Sequence, residues 1–425
     1  MHYMLRFIYI IIAYLLVPIA LLHLLWKGFG NRAYWQRIGE RFGFYSLSAG
    51  HDVIWLHAVS VGEVQAAAPL IRELLDRYPQ RALLVTTTTP TGSDRLRALF
   101  GDRVAHCYAP LDIGWAVKRF FRRFRPCVAI IMETELWPNL FRQCGQRKVP
   151  LMLASARLSP RSINRYRALV SLFKDTLSHG VVIAAQTPAD AERFLSLGVA
   201  PQRTHVTGNI KFDFELPSGI AEQGAQLRRE CGADRPVWIA ASTHSGEEEV
   251  ALAAHKKVRE RFPEALLILV PRHPERFEGI ANLVDSRGFN FARRSQGESC
   301  DDQCAVLLGD TMGELMLFYA AADVAFVGGS IARVGGHNLL EPAALKLPFI
   351  TGPHTFNAVD IAALFRDAGV APVAANADEL ASEVRALFDN PGERERRGAR
   401  ASELINDSRG ALARLLVLLE PLLAG

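Results

Sequence analysis

The sequence predicts an α/β protein in which two doubly wound parallel sheets stand in tandem, facing a cleft, behind an N-terminal membrane helix. Three observations predict it. Short β-rich apolar runs alternate with helical patterns along the chain, as parallel sheets require. The alternation lapses around Phe212 to Gly224 and then begins a second series. Finally, Phe7 to Trp26 holds no Asp, Glu, Lys or Arg. With 425 residues, 49% hydrophobic and 22% charged, the chain is long enough for two or three domains. No low-complexity tract argues for disorder.

Residues 1–27 form the expected membrane segment. The run FIYIIIAYLLVPIALLHLLW, rising about 1.5 Å per residue, matches a hydrocarbon core of ~30 Å. Tyr9, Tyr14 and Trp26 suit the interfaces. Lys27, Arg32, Arg37 and Arg41 follow it, against Arg6 and the terminal amine before it, which places the rest of the chain in the cytoplasm. Pro18 and His23 weaken a span, so a segment lying in the interface or a buried hairpin stays open. LLHLLWKGFGNR is a poor signal-cleavage site.

The first domain, 28–215, draws its strands from VIWLHA (Val53), ALLVTTT (Ala82), VAHCYAP (Val104), CVAIIME (Cys127), LMLASAR (Leu151) and VVIAAQ (Val181). Helices such as VQAAAPLIRELLDRY from Val64, with i, i+3, i+4 apolar spacing, fill the gaps. FDFELPSGIAEQG reads as a linker. The second domain, 216–425, uses PVWIAAS (Pro236), ALLILVP (Ala265), AVLLGD (Ala305), VAFVGG (Val324) and LPFITG (Leu347), with the last helix free to pack back on the first domain. Ligands of such sheets sit beyond the carboxyl ends of the strands.

The formal charge of +5 is too small to argue for nucleic acid, but it suits an anionic membrane surface or phosphate-bearing substrates. The six cysteines are scattered, with Cys300 and Cys304 the only close pair in sequence, and no spacing completes a zinc site. Reduced, buried thiols and no metal site are expected.

The strand ends carry the candidate chemistry. HAVSVGE puts Glu63 in a helix's first turn, where the dipole is expected to keep it ionised as a general base requires. First-turn acids also occur simply as caps. METELWPN ends an apolar strand with Glu133 and Glu135, which share a face if the strand continues, beside Trp137. PRHPER presents Arg272 and His273, and GDTMGEL places Gly313 and Glu314 at a strand-to-helix junction. VGGSIARVGGHNLLEP supplies glycines whose N–H groups suit a phosphate, then Asn338 and a first-turn Glu341 suited to a ribose. Ordinary tight turns are the plainer reading of the glycines. KRFFRRFRP (118–126) is either a basic and aromatic lipid-facing surface or a solvated helix with its phenylalanines in the core.

Together these segments resemble the 3-deoxy-D-manno-octulosonic acid (Kdo) transferases of lipopolysaccharide assembly. The motifs are SVGE (60–63), TTTTPTGS (86–93), ETELWPN (133–139), SARLS (155–159) and GNIKFD (208–213) in the first half. STHSGEE (242–248), PRHPERF (271–277), GDTMGEL (309–315), GGHNLLEP (335–342) and GPHTFN (352–357) follow in the second. The resemblance implies a GT-B fold of two Rossmann-like domains at the cytoplasmic face of the inner membrane. It implies CMP-Kdo as donor and a lipid A precursor, lipid IVA, as acceptor. Inversion at the anomeric carbon and no required metal or other cofactor follow from it. By the same carry-over Glu63 is the base, and Glu133 and Lys211 support the transition state. Pro271, Arg272, Met312, Gly313, Glu314, Asn338, Leu339, Leu340 and Glu341 bind CMP. A UDP-sugar transferase or epimerase of the same fold is the enzymatic rival, and a non-catalytic membrane-bound nucleotide-sugar or lipid binder the rival of another class.

Overall fold

The computed structural model describes residues 2–47, 50, 52–159, 163 and 180–424. It divides into two compact units, Met1–Phe214 with Ser408–Gly425, and Glu215–Asp407. The second unit closes at Asp407, and the last helix lies with the first unit.

Among the described residues the first unit holds one parallel sheet. Its strands are β1 (Ile54–His57), β2 (Leu83–Thr87), β3 (Ala105–Tyr108), β4 (Val128–Met132), β5 (Leu151–Ala156), β6 (Val182–Ala185) and β7 (Thr204–Val206). They lie in the order β3-β2-β1-β4-β5-β6-β7. The order runs one way from β1 to β3 and the other from β4 to β7, so the reversal falls between β1 and β4, where a doubly wound sheet opens its ligand crevice. The second unit repeats the plan with β8 (Val237–Thr243), β9 (Leu266–Pro271), β10 (Phe291–Arg293), β11 (Val306–Leu308), β12 (Val324–Val327) and β13 (Phe349–Thr351). Their order is β10-β11-β9-β8-β12-β13, and the reversal lies between β8 and β12.

The strands are short, and all but the edge strands β7 and β10 are almost wholly buried because helices cover both sheet faces, which explains the continuous apolar runs. In the first unit Trp55 of β1 packs on Phe120 and Phe121 and satisfies its indole N–H on Thr86 Oγ1 at 2.9 Å. Those phenylalanines, with Phe124, line the inner face of helix Gly114–Phe124, while Lys118, Arg122 and Arg123 face out. The aromatic half of KRFFRRFRP is thus core, because a 3.6-residue period puts 117, 120, 121 and 124 on one side. On the opposite face of the sheet, helix Ala411–Ala424 places Leu415, Leu416, Leu419 and Leu423 in one core with Leu56, Val85 and Ile130.

The expected linker is mostly structured. Ile210–Asp213 is a 3-10 turn, and Asp213 accepts the N–H groups of Gly410 and Leu412 at 2.6 Å each. Gly219 then takes a left-handed conformation ahead of helix Ile220–Glu230. A one-turn element capped from 197 and 199 residues downstream shows no helical period, so the sequence loses its pattern there.

The N-terminal segment is one helix, His2–Gly30, continuous through Pro18. From Met4 to Gly30 it is long and apolar enough to cross a membrane.

Candidate active site

In the first unit, helix Val61–Arg77 starts right after β1 and carries Glu63 in its first turn. Ser60 stands at the N-cap without making a side-chain cap bond; Glu63 reaches back instead, accepting the Val59 N–H through Oε2 at 2.6 Å. The carboxyl is pushed up to about 8. Burial is the main cause and outweighs the Val59 N–H; Glu133 and Glu135 push the same way, while Lys211 opposes them. The expectation of a carboxylate kept ionised by the helix dipole is therefore corrected: desolvation wins at this position.

Glu133 follows β4 directly. Its backbone is left-handed, φ 54°, and its N–H donates to the Ala154 carbonyl at 3.0 Å. β4 ends at Met132, so Glu133 and Glu135 do not share an extended face as expected. The turn splits them. Glu133 Oε1 receives Lys211 Nζ at 2.8 Å, and Glu135 receives the Trp137 indole N–H while burial raises its carboxyl. Lys211 is set by the Ile210–Asp213 turn, its N–H held by Asn209 Oδ1 at 3.0 Å. Glu63, Glu133, Glu135 and Lys211 thus lie within one electrostatic neighbourhood, with Glu63 after β1 and Glu133 after β4, on either side of the strand-order reversal.

Sequence reasoning passed over His57, the last residue of β1. It is buried, bonds Thr86 Oγ1 through Nδ1 at 2.8 Å, and meets the Trp137 ring edge-on. Burial pushes it down to about 4, so the ring is neutral. A histidine in an apolar strand reads as core, and no local signal distinguishes it.

In the second unit three histidines gather at the strand ends: His244 after β8, His273 after β9, and His337 in the loop after β12. His244 and His337 stack at 7° with their Nε2 atoms 2.8 Å apart, and His273 stands edge-on to His244. Burial pushes His337 down to about 4, helped by His244, Arg272 and His273 nearby. Of the expected donor residues, Pro271 ends β9 and Arg272 donates its N–H to Thr243 O at 3.0 Å. Asn338 accepts the Leu340 N–H, starting the short helix Leu340–Ala344 that carries Glu341, while Leu339 and Leu340 are buried packing.

The glycine loop corrects another expectation. Its N–H groups from Gly329 to Ala332 do not face an empty phosphate site. They converge on the fully buried Glu247 carboxylate at 2.7, 3.0, 2.9 and 3.1 Å, and His244 N–H joins them at 2.9 Å. Gly335 and Gly336 donate to Gly329 O. The loop therefore has its acceptor built in, which fixes its path and the place of His337. Beside it Glu248, also buried, takes Arg276 bidentately at 2.6 and 2.9 Å.

Glu314 precedes helix Leu315–Ala321, beside Gly313 in a left-handed conformation and the exposed Met312. Arg294 binds its carboxylate, 2.8 Å at the closest, and Thr311 adds a hydroxyl, which hold it below the usual carboxylate range. Among the described residues no group of three or more His, Cys, Asp or Glu could hold a metal ion.

Residues 36–214 match the family model of the 3-deoxy-D-manno-octulosonic-acid transferases. A 3-deoxy-D-manno-octulosonic acid transferase of Haemophilus influenzae is 44% identical over 98% of this chain and 99% of its own length. One from Bordetella pertussis is 39% identical over 79% of this chain and 78% of its own. Among solved structures, the UDP-GlcNAc 2-epimerase of Neisseria meningitidis shares the fold, with a TM-score of 0.58 and 14% identity over 87% of this chain and 99% of that one. The C-terminal CMP-Kdo binding domain of WaaA from Acinetobacter baumannii is 35% identical over 44% of this chain and 99% of that domain, with a TM-score of 0.43.

Proposed function

This chain belongs to the 3-deoxy-D-manno-octulosonic acid transferases, glycosyltransferases of the two-domain GT-B fold, and on that premise we propose its substrates and the residues that act on them. The donor is CMP-Kdo. The acceptor is a lipid A precursor, lipid IVA, and the helix His2–Gly30 holds the enzyme at the cytoplasmic face of the inner membrane. Anchoring there raises the effective concentration of an acceptor that does not leave the bilayer.

The acceptor hydroxyl oxygen attacks the anomeric carbon of Kdo. The bond from that carbon to the CMP phosphate oxygen breaks, CMP departs, and the configuration inverts. The hydroxyl proton passes to Glu63. A base with a pKa near the operating pH serves best, and the value of about 8 supports this role. Lys211, oriented by Glu133, offsets negative charge as it develops. Pro271, Arg272, Met312 to Glu314, Asn338 and Glu341 bind CMP, while the buried Leu339 and Leu340 pack the turn between the last two, and no metal is required.

One observation carries the reading: Glu63 and the Glu133–Lys211 pair meet at the strand-order reversal of the first sheet. The test is a transfer assay with purified protein, CMP-Kdo generated in situ, and lipid IVA in detergent with a chelator present. We expect product at the mass of the acceptor plus Kdo. Glu63→Gln should keep CMP binding and lose turnover by about 10²–10⁴-fold. Turnover retained in that variant refutes the assignment of the base, and activity lost to chelator alone refutes metal independence.

A further inference from the structure

We infer that helix His2–Gly30 lies in the plane of the membrane along the body of the first unit and does not span the bilayer. The inference rests on the membrane attachment proposed above and concerns its geometry.

The start of the helix is fastened to the body of the first unit, and its end is closed by the turn Arg32–Trp35 that leads into that body. Near its start, Tyr9 donates its hydroxyl to Asp112 Oδ2 at 2.6 Å. Asp112 also accepts the N–H groups of Asn139 and Leu140 at 2.9 and 2.8 Å, so it caps helix Pro138–Arg147, which follows the ETELW turn. Near its end, Leu24 is buried, Trp35 donates its indole N–H to Leu25 O at 3.0 Å, and Gly28 lies so close to the Trp35 ring that a Cβ would have no room. From Tyr9 to Gly28 the helix rises about 29 Å, close to the full thickness of a hydrocarbon core. A spanning helix would hold Tyr9 on the far side of that core, out of reach of a body anchored on the near side.

The pattern of exposure agrees. The less exposed positions Tyr9, Ala13, Val17, Leu21, Leu24 and Gly28 recur every three or four residues, forming one stripe toward the body. The opposite side is apolar and bare, as at Ile8, Leu15, Leu22 and Trp26. An interfacial helix ordinarily turns a polar face to water. Here the protein body takes that place, and the bare face is left for lipid, with Lys27 and Arg32 at headgroup level.

The test uses full-length protein with Cys127, the one thiol that is not buried, replaced by Ser. Nitroxide labels are placed singly at Ile8, Leu15 and Leu22, exposed positions two turns apart on one side. The protein is reconstituted in phosphatidylethanolamine–phosphatidylglycerol vesicles and each label's depth is read by electron paramagnetic resonance. Equal, shallow depths at all three positions are expected. Depth changing steadily by about 10 Å per step would mean a spanning helix, and a maximum at Leu15 would mean a hairpin at Pro18; either overturns the inference. Labels that never meet lipid would overturn the membrane attachment itself, and the inference with it.

Discussion

At the scale of single residues, Glu63, as the proposed base, sets stability against activity. Its carboxyl sits at about 8 in the folded protein, above the ordinary carboxylate range of the unfolded chain. The unfolded state therefore ionises first, and the fold loses stability as the pH rises from that range through about 8. Glu63→Gln should match the parent's melting temperature in acid, exceed it increasingly toward pH 8, and then level off, while being inactive. Equal melting temperatures at pH 8 would show that the buried carboxyl carries no such cost. The same group predicts an acid limb in the rate. A base must be ionised, so kcat/KM of the parent should climb with pH until about 8. A profile already flat at pH 6 would point to another base. Glu133 and Lys211 act as a pair: each single alanine variant should lower kcat, and the double variant should be little worse than either, because removing one partner already disables the other. Independent, multiplying losses would separate their roles.

At the scale of elements, the loop after β12 depends on one side chain. Five N–H groups from 244 and 329 to 332 end on the buried Glu247, and Gly329 O in turn holds Gly335 and Gly336. Glu247→Gln presents an amide N–H to donors that need an acceptor. We expect a stability loss on the order of 2 kcal/mol and a raised KM for CMP-Kdo, since His337 and Asn338 hang on that loop. Glu247→Asp should restore part of the KM. An unchanged KM alongside the lost stability would leave Glu247 a purely structural support. This device was not legible in the sequence, where STHSGEE entered only as a motif of the family resemblance and the glycines read as a phosphate loop or as ordinary tight turns. The long apolar strands were legible because burial on both faces demands continuous Val, Ile and Leu. The strands Thr204–Val206 and Phe291–Arg293 were not, because they are three residues long and only partly buried at the edges of their sheets, so no apolar run marks them. Glu63, Glu133 and Lys211 were found through motifs; their charge states needed the third dimension, because desolvation and the turn after Met132 leave no mark on spacing.

At the scale of the whole molecule, the chain crosses between its two units twice, and the second crossing decides how it can be cut. Residues 408–425 return to the first unit. There Leu415, Leu416, Leu419 and Leu423 are buried, Arg414 donates to Thr207 O at 2.8 Å, and Arg77 meets Glu420 at 2.9 Å. Four buried leucines contribute roughly 6–12 kcal/mol at about 1.5–3 kcal/mol each, as much as the entire net stability of an ordinary domain. The surface pair of Arg77 and Glu420 adds little to that sum. A fragment 1–214 should therefore fail to melt cooperatively on its own, and adding a 408–425 peptide should restore a transition. The second unit has its own closed core, with Trp238, Leu267, Val306 and Phe326 buried together. A fragment 215–407 should fold alone and be stabilised against heat by CMP, although it lacks Glu63, Glu133 and Lys211 and so has no transfer activity. Cooperative melting of 1–214 without the peptide would show that the returning helix is dispensable to the first core. CMP protection absent from a folded 215–407 would move donor recognition off the second unit.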